Sequence, residues 1–202
     1  MQEISSVEEL EERLSRPSDA AIDALGRAPG DLMILGVGGK MGASLARMAV
    51  RACAARGATR RIVGVSRFGD VRIRERFEDW GIDTIAGDLT DRRFVQSLPD
   101  APNIIFMTGM KFGSTGQEPL TWAMNVYVPA LVCEKYAGRR IVAFSTGNVY
   151  GLVPWESGGS VESDPPCPVG EYAMSCLRRE RVFEYFCNRD NTPVSILRLN
   201  CS

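Results

Sequence analysis

Six short apolar segments in this chain show little internal alternation, which is typical of strands buried on both faces of a sheet. They are DLMILG (31–36), RRIVGVSR (60–67), IDTIAGDL (82–89), NIIFMTG (103–109), RRIVAFST (139–146) and TPVSILRLN (192–200). Predicted helices at 40–57, 119–138 and 170–190 lie between them, the second kinked at Pro129. Strands separated by helices form parallel sheets. We therefore predict an α/β fold, a doubly wound parallel sheet with helices on both faces.

The segments outside this pattern suggest a simple domain organisation. Residues 5–29 predict two short helices, the first with Ser6 and Glu9 as its capping box. We interpret residues 1–30 as an N-terminal helical extension and residues 31–202 as one sheet domain. The stretch from Val153 to Gly170, rich in Pro, Gly and Ser, predicts a long loop, and such loops usually carry function.

Composition excludes several classes of function. The net charge is −1, and no apolar run approaches the ~20 residues that span a bilayer, so we expect neither nucleic-acid nor membrane partners. With no histidine and no C-x-x-C pair, a metal site and histidine-dependent catalysis are not expected. We expect a cytoplasmic protein whose cysteines are reduced and mostly buried. The cysteines are Cys53, Cys133, Cys167, Cys176, Cys187 and Cys201.

The turn after the first strand, GVGGKMG, indicates a site for a dinucleotide. Gly36, Gly39 and Gly42 have G-x-x-G-x-x-G spacing between a predicted strand and a predicted helix. Backbone N–H groups there, around Lys40 and Met41, can approach a pyrophosphate at the helix N-terminus. A Walker A loop is excluded because Met41 follows Lys40. An S-adenosylmethionine site and a merely tight turn remain alternatives.

The end of the second strand bears on the choice of cofactor. Dinucleotide folds usually place an acidic residue there for the adenosine ribose, but this chain has Ser66 and Arg67. Arg67 could pair with a 2′-phosphate, which favours NADP over NAD. The alternative is that Arg67 is a solvated surface residue.

From about Asp31 to its end, the chain resembles the extended short-chain dehydrogenases/reductases, also called the NAD-dependent epimerase/dehydratase family. The landmarks are the glycine turn, GDLTD (87–91), MTG (107–109), Asn125, FSTGNVYG (144–151) and ESDPPCPVGEYAMSC (162–176). The resemblance implies a Rossmann-type fold that binds NAD(P). It implies that Asp88 and Leu89 contact adenine and that Thr108 and Gly109 pass beside the cofactor ribose.

The resemblance also implies separate catalytic roles for two residues that contact the substrate. Tyr172 would be the general acid/base, and Thr146 would hold the same substrate oxygen, on a small molecule with a carbonyl or hydroxyl group. A homodimer is implied, formed by the helices around Asn125 and Tyr172. Its apolar contacts could come from aromatic residues that could equally belong to the core: Trp122, Tyr127, Phe183 and Phe186.

Cys176 departs from the family, which has a lysine at this position to bind the ribose and lower the tyrosine pKa. Moving a tyrosine pKa from about 10 to 7 requires about 4 kcal/mol, which a neutral thiol cannot supply. Lys111, in the loop after the fourth strand, is a candidate to replace the missing cation; the alternative is that it contacts substrate or solvent. Arg179 is a second candidate, roughly 10 Å further along the helix. Cys176 itself is interpreted as a packing thiol rather than a nucleophile.

Two functions therefore remain open. The first is an NAD(P)-dependent oxidoreductase, epimerase or dehydratase that acts on a sugar, a nucleotide sugar or a similar hydroxy or keto compound. The alternative is a non-catalytic NAD(P)-binding sensor or scaffold, which Cys176 favours. The chain also stops after the sixth strand, where family members continue into a substrate-binding lobe, so we expect this lobe to be absent or truncated.

Overall fold

The computed structural model describes residues 4–111 and 113–200 of the chain. The strands are β1 (Leu32–Leu35), β2 (Ile62–Ser66), β3 (Asp83–Ala86), β4 (Asn103–Phe106), β5 (Arg140–Thr146) and β6 (Val194–Leu199). The helices are α1 (Val7–Leu14), α2 (Asp19–Arg27), α3 (Gly42–Arg56), α4 (Val71–Asp79), α5 (Arg92–Ser97), α6 (Glu118–Trp122), α7 (Val128–Lys135) and α8 (Gly170–Asp190). A π-helical segment (Ala123–Tyr127) joins α6 to α7, and two 3₁₀ turns lie at Gly147–Val149 and Trp155–Ser157.

The strands follow the sheet order β3-β2-β1-β4-β5-β6. The pairs β1–β2, β1–β4, β2–β3 and β5–β6 are parallel, with Leu32 opposite both Ile62 and Asn103. Strand order reverses direction after β1, which defines the doubly wound Rossmann type. The predicted α/β fold is therefore confirmed.

The chain divides into two compact units, of which the first comprises residues 1–89 and 98–107. Its core forms where the apolar strands β1 and β2 meet the small buried residues of α3, including Ala43, Ala46 and Ala49. Helix α1 packs on α3, where Glu12 accepts hydrogen bonds from Arg51 at 2.6 Å and 3.2 Å to its carboxylate and carbonyl oxygens. The first helix is capped by Ser6 as predicted, but Glu9 reaches back to the N–H of Ser5 at 2.9 Å.

The second unit comprises residues 90–97 and 108–202. Strands β5 and β6 pair along their whole length, and α8 packs on both. The predicted helix at 119–138 is found as α6, the π-helical segment and α7. Pro129 explains the interruption, because it lacks an N–H and its ring crowds the carbonyl of Asn125, four residues earlier.

Helices α4 and α5 were not predicted from the sequence. Each has a single buried residue, Phe77 and Val95 respectively, and most of their other residues are charged or polar. The predicted loop at 153–170 is largely exposed, with Trp155 88% exposed. Among the described residues, no helix is both long and apolar enough to cross a membrane.

The described cysteines are free thiols, as expected. Cys53, Cys133 and Cys176 are buried, Cys187 is partly buried and Cys167 is exposed. Cys201 lies outside the described residues.

Candidate functional site

The glycine turn links β1 to α3 in the first unit. Gly36 has φ 90°, a left-handed conformation that only glycine adopts without strain. A Cβ atom on Gly42 would collide with the carbonyl oxygen of Val37, so α3 starts directly against the turn. At Gly39, by contrast, the nearest atom to a Cβ would be 3.6 Å away. The packing of the protein does not require glycine there, so this position leaves room for a ligand.

The N-terminus of α3 is suited to an anion. Its N-cap residue, Met41, provides no side-chain hydrogen bond, and the first turn contains no acidic residue. N–H groups of the first turn of a helix have no intrahelical partner, and they bind phosphates well. Lys40 and Met41 are exposed at the tip of the turn. The residues present therefore fit the pyrophosphate of a dinucleotide.

The other residues predicted to contact the cofactor lie at the ends of β2 and β3. Ser66, at the end of β2, stands so close to Gly38 that a Cβ atom on Gly38 would collide with its hydroxyl oxygen. Arg67 follows with an exposed side chain. After β3, Asp88 is exposed, whereas Leu89 is 5% exposed. A ligand at this edge would meet the backbone of Leu89 rather than its side chain.

Thr146 and Tyr172 form a pair of hydroxyl groups in the second unit. Thr146 is the last residue of β5, and Tyr172 lies in the first turn of α8. The Thr146 hydroxyl donates to Asn148 Oδ1 at 2.9 Å and accepts from the Asn148 N–H at 3.2 Å, which fixes its orientation. Burial raises the pKa of Tyr172 to about 12; Cys176 adds to the rise, while a hydrogen bond with Thr146 and the charge of Arg179 oppose it. Tyr172 is therefore a neutral hydroxyl at neutral pH.

Cys176 has the surroundings of a packing thiol. It is fully buried and contacts Val149 and Leu177. Burial raises the pKa of its thiol, so little thiolate exists at neutral pH. The Nδ2 atom of Asn125 lies 3.9 Å from its sulfur. This environment supports the packing interpretation over a nucleophilic one.

Asn125 connects the turn after β4 to α8. It is fully buried in the π-helical segment. Its Oδ1 accepts from the Met110 N–H at 3.1 Å, and its Nδ2 donates to Ser175 Oγ at 2.9 Å. Asn125, one of the landmarks of the family resemblance, therefore holds the turn after β4 against α8 through specific contacts. Thr108, in the same turn, is 6% exposed, and Gly109 is exposed.

The two candidate cations differ in their surroundings. Lys111 is exposed, and its Nζ lies 5.9 Å from the centroid of the Tyr172 ring, within cation–π range. Arg179 is 6% exposed and donates from Nη1 to the carbonyl oxygen of Phe144 at 2.9 Å. Spacing along the helix predicted that Arg179 would be distant. In the structure, however, Arg179 Nη2 donates to Asn125 Oδ1, and Asn125 Nδ2 lies 3.9 Å from the Cys176 sulfur, so the guanidinium lies near Cys176.

Sequence reasoning missed a second buried polar group, centred on Glu180. Glu180 is 1% exposed and accepts from Arg198 Nη2 at 2.8 Å and from Ser145 Oγ at 2.5 Å. Arg198 also donates to the Tyr150 hydroxyl at 2.6 Å. The carboxylate of Glu180 raises the pKa of Arg198. Tyr150 was noted only as part of the FSTGNVYG landmark and Arg198 only as part of the sixth strand, so the sequence did not connect either of them to Glu180.

Comparisons with known proteins agree with the family resemblance and with the fold. The model of the NAD dependent epimerase/dehydratase family matches residues 32–200. A search of curated proteins found no match.

Solved structures with the same fold include the UDP-Glc/GlcNAc 4-epimerase from Campylobacter jejuni, with a TM-score of 0.72 and 18% identity over 84% of this chain and 53% of that one. UDP-glucuronic acid 4-epimerase from Bacillus cereus, in complex with NAD, has a TM-score of 0.66 and 18% identity over 84% of this chain and 55% of that one. A short-chain dehydrogenase/reductase superfamily protein from Agrobacterium tumefaciens with bound NAD has a TM-score of 0.64 and 19% identity over 83% and 48%. The chain thus spans about half of each, and at these identities the likeness shows the fold alone.

Proposed function

Because this chain belongs to the NAD-dependent epimerase/dehydratase family, we propose that it interconverts a hydroxyl and a keto group with NAD(P) as cofactor. The observation that carries the proposal is the pairing of the Thr146 and Tyr172 hydroxyls, one at the end of β5 and one in the first turn of α8. When bound, the nicotinamide supplies or accepts the hydride. The glycine turn of the first unit would hold the pyrophosphate, with Gly36, Gly39, Lys40, Met41 and Gly42.

The two hydroxyls would handle the substrate oxygen. Thr146 would orient that oxygen once its hydroxyl proton turns from Asn148 Oδ1, to which it donates in this structure, toward the substrate. Tyr172 is a neutral hydroxyl at neutral pH, so it acts as the acid that protonates the oxygen when a carbonyl is reduced. In the oxidative direction its phenolate must act as the base. Lys111 would stabilise that phenolate from the ring face, at 5.9 Å from the ring centroid.

This assignment predicts a steep pH dependence of oxidation. With the pKa of Tyr172 raised to about 12, the phenolate fraction rises tenfold with each pH unit below that value. Initial rates of NADP⁺ reduction, with UDP-glucose or UDP-glucuronic acid as probe, should therefore increase about tenfold per unit between about pH 7 and 9. NADPH affinity measured at each pH controls for changes in binding. A rate that levels off below about pH 8 would contradict a tyrosine that titrates near 12.

We propose NADP as the preferred cofactor, with Ser66 and Arg67 at the 2′-phosphate and Asp88 and Leu89 at the adenine. Replacing Arg67 by alanine should weaken NADPH binding about tenfold, because it removes one charge-assisted hydrogen bond to a phosphate, and should leave NADH binding unchanged. Arg27→Ala, which removes an exposed arginine from α2, is the matched control. Fluorescence titration of both nucleotides measures the effect. An equal loss for NADPH and NADH would exclude a contact with the 2′-phosphate.

We propose a sugar or nucleotide sugar as the substrate class. Two of the solved structures are named as epimerases of UDP-sugars, and the Bacillus cereus enzyme has been solved with UDP-glucuronic acid and NAD. This support comes from proteins that share the fold and about half their length with this chain. Thr108 and Gly109 would lie at the cofactor ribose.

We further propose that the chain forms a homodimer in the cytoplasm. Free thiols among the described cysteines suit a reducing compartment. Tyr127 is 46% exposed and Trp122 is partly exposed, so both remain candidates for the interface. Phe183 and Phe186 are 0% and 5% exposed and belong to the core of the second unit. The sedimentation coefficient of the intact chain reports its oligomeric state.

A non-catalytic NAD(P)-binding sensor or scaffold is the second candidate. Two observations favour it, namely the neutral thiol of Cys176 at the position of the family's lysine and the raised pKa of Tyr172. A sensor would bind the nucleotide tightly and show no turnover with any keto or hydroxy sugar at any pH. The pH series above separates the two functions, because the enzyme regains its base at high pH.

A further inference from the structure

Arg179 carries a charged group into the interior of the second unit. It is 6% exposed and follows Cys176 by three residues and Tyr172 by seven, so all three share one face of α8. A guanidinium stays protonated in proteins, and burying a charge is costly unless its surroundings compensate for it. Burying the arginine at this position therefore costs free energy, and packing contacts alone do not explain why it is buried.

The guanidinium is held in one place by specific contacts. Its Nη1 donates to the carbonyl oxygen of Phe144 at 2.9 Å, and its Nη2 donates to Asn125 Oδ1. The same Asn125 oxygen accepts from the Met110 N–H at 3.1 Å. A Cβ atom on Gly109 would collide with Nη2, so the glycine of this turn makes room for the arginine. Both named acceptors are neutral oxygens that orient the guanidinium; burial lowers the pKa of Arg179, and the nearby Glu180 opposes this shift.

The charge of Arg179 acts on the groups that share its helix face. It lowers the pKa values of Tyr172 and Cys176, against the rise that burial causes in both. The other charged groups nearby are Glu180, which Arg198 contacts at 2.8 Å, and Lys111. Solvent screens the exposed Lys111, whereas the buried Arg179 is screened much less. Arg179 is therefore better placed than Lys111 to influence Tyr172.

We infer that Arg179 is a positioning residue that supplies, from the next turn of α8, the buried positive charge that a lysine at position 176 would provide. The inference rests on the proposed function, since the charge serves a purpose only if Tyr172 transfers protons. Cys176 is short and neutral, so position 176 itself contributes no cation. The arginine side chain leans back toward the helix N-terminus and returns the charge to the same region.

A stability cycle tests whether positions 176 and 179 share one electrostatic site. Cys176→Lys is introduced into the natural chain and into an Arg179→Met chain, with Cys176→Met as the neutral control of similar length. With Arg179 present, the lysine should lower Tm by at least about 5 °C more than methionine does, because two buried cations repel. In the Arg179→Met chain, the additional fall in Tm caused by lysine relative to methionine at position 176 should be less than half as large. An equal excess in both chains would overturn the inference. This test requires no turnover, so it is independent of the proposed function.

Measurements of activity provide a second test, because a residue with only a structural role would not give the pattern of kcat/KM values described next. Arg179→Met should lower kcat/KM for oxidation of the UDP-sugar probes about tenfold or more, and Arg179→Lys should retain most of it. The double variant Arg179→Met/Cys176→Lys should recover most of the loss. Arg189→Met, which removes an exposed arginine from the same helix, should have no effect. Failure of the double variant to recover would show that Arg179 only packs. A natural chain without any turnover would instead contradict the proposed function, and the stability cycle would still decide the role of Arg179.

Discussion

Replacing Tyr172 by phenylalanine is expected to lower turnover about 10³-fold while NADPH affinity stays within about twofold. The change removes one oxygen atom from a half-buried ring in the first turn of α8. The substitution removes the hydroxyl proposed to protonate the substrate oxygen beside Thr146. The ring itself still packs on Val149 and Leu177, so the fold should persist. Stopped-flow turnover with a keto-sugar and a separate nucleotide titration measure the two quantities.

Tyr185→Phe is the matched control for this change. Tyr185 lies on the same helix, is 58% exposed and makes an edge contact with Phe186 that the ring alone can provide. It should leave turnover and binding unchanged. Full activity in Tyr172→Phe would show that another group transfers the proton. A natural chain that binds NADPH but turns over nothing would favour the sensor.

The second large effect is expected on stability, at Glu180. Its buried carboxylate accepts from Arg198 Nη2 at 2.8 Å, from Arg198 Nε at 3.1 Å and 3.2 Å to its two oxygens, and from Ser145 Oγ at 2.5 Å. Replacing Glu180 by alanine leaves the Arg198 guanidinium, with a side-chain exposure of only 20%, without its counter-charge. The free energy of unfolding should therefore fall by about 3–5 kcal/mol. Urea denaturation of the intact chain measures it.

Glu184→Ala, on the same helix, controls for helix propensity and loss of charge. Glu184 pairs with Arg181 at 2.6 Å, but both side chains are about half exposed, at 44% and 51%. Exposed pairs contribute little, so this variant should change the free energy of unfolding by less than about 1 kcal/mol. If the two variants were equally stable, the Glu180–Arg198 pair would not be a structural element of the second unit.

The strands and the glycine turn could be predicted because each has a local sequence signal. Apolar runs without alternation marked all six strands, and Gly36 and Gly42 carry backbone demands that other residues cannot meet. Helix α4 was missed because most of its residues are charged; Ile73 and Phe77 pack against the core of the first unit, but the arginines and carboxylates between them obscured this spacing. The π-helical segment could not be predicted either, since Pro129 indicated only that the helix would be interrupted.

The site could be predicted in part. Motifs indicated Thr146 and Tyr172, and in the structure a hydrogen bond with Thr146 lowers the pKa of Tyr172 against the larger rise caused by burial. The surroundings of the cations could not be predicted, because Arg179 and Arg198 resemble surface residues in the sequence. Their burial depends on partners at Asn125 and Glu180, respectively, which lie far away or on another element. Arg179 is therefore a buried cation, whereas Lys111 is exposed.

The most direct test of this account is a titration of the purified chain with NADPH and NADH, followed by nicotinamide fluorescence, with a keto-sugar added at saturation. The account predicts saturable binding that is tighter for NADPH, then loss of the fluorescence as the keto-sugar is reduced. Binding that persists without oxidation would contradict the catalytic role of Tyr172 and support the sensor. Absence of saturable binding for both nucleotides would contradict the assignment of the glycine turn as a cofactor site.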